Sequence, residues 1–215
     1  MKKRATPKLR FPGQRRREQE RQFKPLAVEI GWIAYEWNRL QETFAELFID
    51  VLGSDPAIAL KVWHSVRSDL AQREMLRAAV DHKAATATPE FKPIWAEILW
   101  LIKEATDLSM KRNDALHVPF VFITHPDKIE VLPLYFLGNP KAKKLATKEV
   151  LKEFQWYRAS GAVLADYAMS LHYAITEPEI FPSRGRPLIP SLGQKPTPKR
   201  WTRQKKSKSI PPQRG

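Results

Sequence analysis

Between Leu26 and Val51 the apolar residues Leu26, Ile30, Ile33, Trp37, Leu40, Phe44, Leu47 and Val51 recur in alternating steps of four and three. That rhythm draws one stripe along about seven turns of helix. Gly53 supplies a stop, and Asp55-Pro56 reads as a cap followed by Pro at the first helical position. A second helical region carries Ile58, Val62, Val66 and Leu70, then Met75, Leu76, Ala79 and Val80. Ser68-Asp69 divides it, because Asp69 and Gln72 have capping-box spacing. Lys83 to Thr88 reads as a linker, and Thr88-Pro89 as the start of a third helix lined by Ile94, Ile98, Leu101, Ala105 and Leu108.

Beyond residue 117 the period changes. Phe120 to Ile123 and Ile129 to Leu132 read as two short strands, joined by the turn His125-Pro126-Asp127-Lys128. Pro133 makes the second strand short or places it at an edge. The last long helix carries Val150, Phe154, Tyr157, Gly161, Leu164, Ala168, Leu171 and Ile175, and ends before Pro178. Gly161, with Ala162 and Ala165 nearby, leaves room for a close helix approach. The pattern predicts an all-α fold: a four- or five-helix bundle over residues 25–177 with a small β-hairpin appendage near 120–133.

Charge refines this picture at the ends of the chain. The formal net charge is +14, yet residues 1–24 hold ten Lys/Arg against two Glu, and residues 180–215 hold ten Lys/Arg and no acid. The intervening residues are slightly acidic. We expect a basic flexible N-terminal arm over 1–24 and a Pro/Lys/Arg-rich disordered tail over 178–215. Such tails attract phosphate backbones without reading sequence. Trp201 stands among Lys199, Arg200 and Arg203, an arrangement that could contact RNA bases and phosphates, with a protein partner as the alternative. No apolar run predicts a membrane span or a secretory signal, so a cytoplasmic protein with no membrane partner is expected. The absence of cysteine excludes disulfides, thiolate catalysis and cysteine-ligated metals.

The stretch Arg112-Asn113-Asp114-Ala115-Leu116-His117 combines chemistry with position. Extending the rhythm of the third helix from Leu108 arrives at Arg112, so this cation points along the apolar seam and needs a partner, a groove or a subunit boundary. Five helical steps leave Arg112 and His117 roughly 140° apart around an ideal helix. They converge only if the helix ends near His117 or if two symmetry-related helices share a groove. Val118-Pro119 favours a local ending.

This six-residue motif resembles the arginine–x(4–6)–histidine motif of the HEPN superfamily, the higher-eukaryote and prokaryote nucleotide-binding domains. The resemblance is one of architecture across roughly 25–177 and of pattern only across 112–117. It implies a helical bundle, commonly dimeric, related to metal-independent ribonucleases of toxin, RNA-processing and phage-defence systems. RNA, a second copy of the chain, and an antitoxin or other protein are the partners it implies, with no cofactor and no metal. Arg112 and His117 would be the catalytic pair, and Asn113 would match the polar residue that often follows the arginine and support the groove. Many members carry Gly after the histidine, where this chain has Val118.

The chemistry is coherent apart from the resemblance. The ribose 2′-hydroxyl of single-stranded RNA supplies the nucleophile. His117 would serve as general base or acid, since an imidazole ordinarily titrates near pH ~6.5. Arg112 would clamp the scissile phosphate and stabilise the pentacoordinate transition state. Two alternatives stand beside this endoribonuclease: a nonenzymatic RNA-binding or regulatory helical protein, and a protein-interaction scaffold. In a purely architectural role, Arg112 pairs with Glu104, Asp107 or Asp114 to close the bundle, and His117 caps helix carbonyls. His64, His82, His125 and His172 have no metal-ligand spacing, and Trp37, Trp63, Trp95, Trp100 and Trp156 are read as packing residues.

Overall fold

The computed structural model describes residues 12–89, 91–125, 127–179 and 185–191. Six helices and one hairpin follow in order: α1 (Pro12–Leu52), α2 (Pro56–Ser65), α3 (Asp69–Thr86), α4 (Lys92–His117), β1 (Phe120–Thr124), β2 (Ile129–Pro133), α5 (Pro140–Leu145) and α6 (Val150–Thr176). The all-helical bundle with a two-stranded antiparallel hairpin is the expected fold class, with six helices in place of four or five.

The α1 stripe forms the spine of the core. Leu26, Ile33, Trp37, Leu40, Phe44, Leu47 and Val51 are buried, and α1 packs most extensively on α6. The approach is close at Gly161, where an added Cβ would lie 3.4 Å from the Glu36 Cβ. Gly53, at φ +61°, stops α1, and the Asp55 carboxylate accepts from the Ala57 and Ile58 amides to open α2 at Pro56. These are the predicted devices.

Several boundaries differ from expectation, each for a local reason. Residues 12–24, expected as part of a flexible arm, belong to α1. The segment is dense in good helix formers, Arg16 and Arg21 pair with Glu20 and Glu18, and Phe23 packs edge-on against Phe120 and Phe122. Pro25 sits inside this helix, where its missing N–H costs one ladder bond. Ser68, not Asp69, caps α3, and the Gln72 side chain donates to the Trp63 and Val66 carbonyls rather than closing a capping box. Helix α3 continues through Lys83–Thr86, which had read as linker, because Ala84 packs on the core. Helix α4 begins at Lys92, with Pro93 in its first turn, instead of at Thr88-Pro89.

The hairpin pairs Phe120 with Pro133 through Thr124 with Ile129. It covers a second apolar cluster of Leu26, Ile33, Ala115, Val118, Ala142, Leu145, Phe154 and Tyr157. Short α5, absent from the sequence reading, enters this cluster through Ala142 and Leu145, with Asn139 as its cap.

Within the expected disordered tail, residues 185–191 lie against the bundle. Arg186 pairs with Glu97 at 2.9 Å, Ile189 packs on the main core, and the Trp156 indole N–H donates to the Pro190 carbonyl. An apolar anchor and a charge clamp offset the entropy of ordering this short segment. Residues 192–215 fall outside the described residues. Among the described residues, no helix is long and apolar enough to cross a membrane.

Candidate functional site

Helix α4 delivers the motif on its last two turns and stops at His117, where Val118 turns to extended backbone before Pro119. Ala115 and Val118 are buried in the cluster beneath the hairpin, so the backbone on both sides of His117 is held. His117 lies two residues from Ala115, about 200° around the helix, and is exposed. No hydrogen bond or ion pair engages its imidazole among the described residues. Three residues earlier, Asp114 receives Lys144 of α5 at 3.4 Å, which ties α5 to this end of α4.

Arg112 turns the other way, into the bundle. Its Nη2 donates to the Asp69 Oδ2 at 2.5 Å, and its guanidinium carbon lies 4.5 Å from the centre of the Trp37 ring. Asp69 is a second focus, because the same Oδ2 accepts the Trp37 indole N–H at 2.8 Å. The expectation that Arg112 needs a partner holds, but the partner comes from the first turn of α3. Glu104 and Asp107 instead pair with Lys103, and Asp114 with Lys144. Sequence spacing pointed to neighbours on the same helix; helix crossing supplied one 43 residues away.

Sequence reading passed over Arg73, one turn along α3 from Asp69. It is 1% exposed, its guanidinium lies 5.4 Å from the centre of the same Trp37 ring, and its Nε donates to the Thr106 hydroxyl at 3.2 Å. Burial depresses its pKa from the ordinary arginine value; Asp69 opposes that fall and Arg112 adds to it. Two guanidinium groups and one carboxylate therefore meet at one indole. Arg73 Nη1 and Arg112 Nε are both buried with no hydrogen-bond partner.

The structure thus places Arg112 and His117 on one helix end without bringing them together. Five residues advance ~7.5 Å along the axis while turning roughly 140°. Asn113 is half-buried beside them. The tail residues Lys199, Arg200, Trp201 and Arg203 lie outside the described residues.

Two of the other histidines, His172 and His125, lie against acids. His172 Nδ1 lies 2.7 Å from the Asp50 carboxylate, whose pKa burial raises and the His172 contact lowers, with a net rise. His125 faces Glu130 across the hairpin turn at 3.2 Å. Among the described residues, no group of three or more His, Asp or Glu side chains is placed to hold a metal ion. Trp37, Trp63 and Trp95 are buried and Trp100 and Trp156 pack partly on the core, in keeping with their reading as packing residues. Comparison with known proteins finds no matching family model, no matching curated protein and no matching solved structure.

Proposed function

We propose that this protein is a metal-independent endoribonuclease of the HEPN kind, cutting single-stranded RNA through Arg112 and His117. The observation that carries the reading is the placement of His117: an exposed, unengaged imidazole at a fixed helix end, three residues on from the Asp114–Lys144 ion pair. Such an imidazole can take the 2′-hydroxyl proton or return one to the leaving 5′-oxygen. In-line attack forms the 2′,3′-cyclic phosphate and breaks the bond to the 5′-oxygen. The divergence of Arg112 from His117 requires a groove completed by a second copy, so that a phosphate meets both groups across a two-fold axis. Arg112 must also exchange the Asp69 carboxylate for that phosphate.

The Arg112–Asp69 bond favours a second reading, an RNA-binding or regulatory protein without cleavage. There Arg112 ties α4 to α3, and the α5 lysines with the basic termini hold the RNA backbone. Cleavage of a labelled single-stranded RNA panel in excess EDTA separates the two. The nuclease yields cyclic-phosphate ends that vanish in folded Arg112→Ala and His117→Ala variants. RNA binding without cleavage, unchanged in His117→Ala, establishes the second reading.

A further inference from the structure

A buried arginine without a carboxylate is an expensive object. Arg73 forms no ion pair among the described residues, its single hydrogen bond is to a neutral hydroxyl, and its Nη1 is orphaned in the interior. Arg112, on the same ring, spends one edge on Asp69 and leaves Nε orphaned. Glu74, the next acid on α3, is directed to Arg77 at 3.6 Å. Glu74 supports the Arg73 charge only through space, so Asp69 is the one carboxylate hydrogen-bonded within the cluster of two cations. That carboxylate belongs to a half-exposed side chain that can rotate into water, whereas Arg73 is held in the interior and Arg112 mostly so.

We propose that Arg73 and Arg112, gathered on the Trp37 indole, form one anion site whose resident in the free chain is Asp69 and whose ligand is a phosphate group. A phosphate group, even as a singly charged diester, offers two non-bridging oxygens as acceptors where the one Asp69 oxygen is already shared by Arg112 and Trp37. The indole N–H, now given to Asp69, is a further donor at the same position. Asp69 acts as a competing internal anion: it pairs with Arg112 and offsets part of the Arg73 charge until a phosphate takes its place. The inference rests on the preceding reading only for the carrier of that phosphate, an RNA phosphodiester.

Inorganic phosphate is the probe, titrated into the full chain by calorimetry and by thermal unfolding at constant ionic strength. Wild type should bind saturably with a rise in Tm. Asp69→Asn, which keeps the shape and removes the competing charge, should lower the Kd on the order of tenfold. Arg112→Gln and Arg73→Gln should abolish binding; should Arg73→Gln fail to fold, Asp69→Asn and Arg112→Gln decide the matter. Weaker or unchanged binding in Asp69→Asn overturns the proposal, because a carboxylate that merely positions Arg112 predicts that result. Binding that persists in Arg112→Gln overturns it too, locating the anion on the basic termini. The titration involves no cleavage, so absence of nuclease activity leaves this site standing, and a failed titration leaves the nuclease assay unaffected.

Discussion

Removing the Arg112 side chain has a cost that can be worked from its surroundings. Arg112→Ala deletes a 2.5 Å charge-assisted bond to Asp69 and a stacking contact with Trp37. The pair is neither a surface bridge nor a buried one: the Arg112 side chain is 16% exposed and that of Asp69 is 42%. Exposed pairs contribute about 0.2–1 kcal/mol, and breaking a buried pair costs about 3–5 kcal/mol. Solvent reaching Asp69 screens the charge, so a coupling of about 1–1.5 kcal/mol is expected. The cation–π contact and lost methylene packing add about 1 kcal/mol. Arg112→Ala should therefore cost about 2–2.5 kcal/mol and Asp69→Asn about 1 kcal/mol, with the double variant close to Arg112→Ala alone. Urea unfolding of wild type, both single variants and the double variant measures the cycle. A coupling below about 0.3 kcal/mol would refute the claim that this bond ties α3 to α4.

Other outcomes follow from neighbouring features. Leu40→Ala, at a fully buried position in the α1 stripe, should lower unfolding free energy by about 3 kcal/mol; a loss under about 1 kcal/mol would place Leu40 outside the core. Glu153 is buried, bonded to Lys148 at 3.0 Å and to the Tyr157 hydroxyl at 2.9 Å, so Glu153→Gln should cost about 1–2 kcal/mol by the same assay. Burial, followed by hydrogen bonds to Glu153 and Glu97, raises the Tyr157 and Tyr167 phenols above their ordinary value of 10.0. Their contribution to stability is complete below that pH and is lost as pH rises toward the folded values, so unfolding free energy should fall above pH ~10. Tyr157→Phe and Tyr167→Phe should flatten that fall. Arg186→Ala should speed amide exchange across 185–191 without altering exchange in the middle of α4; unchanged exchange would mean that Ile189 and Pro190 alone anchor the segment.

The long helices were legible because burial writes a period into them: the Val150–Ile175 rhythm matches α6 closely, and the Leu26–Val51 rhythm matches the C-terminal two thirds of α1. The hairpin was legible from its change of period around His125–Lys128. The first turns of α1, residues 12–24, were not, because a segment rich in Arg, Glu and Gln has no apolar stripe. It is held by ion pairs and by Phe23 meeting a hairpin 97 residues later in sequence. Short α5 holds only two buried side chains, too few for a period. The need of Arg112 for a partner could be read from its phase, but Asp69 could not be identified, since spacing along one helix says nothing of which helix crosses it. Arg73 carried no signal of its own, standing between Gln72 and Glu74, and only the packing of α3 against α1 and α4 buries it.

The dominance of the α1–α6 contact also bears on how the chain is made. The helix with the longest apolar stripe is synthesised first, and the helix that covers it last. About 100 residues separate them, some 5–20 s of ribosomal elongation. During that interval Leu40, Phe44 and Leu47 can be sheltered by α2, α3 and α4, but the side of α1 facing Gly161 has nothing to lie against. A nascent chain stalled before Val150 would present that side to every other protein nearby, making it a natural client for a holding chaperone.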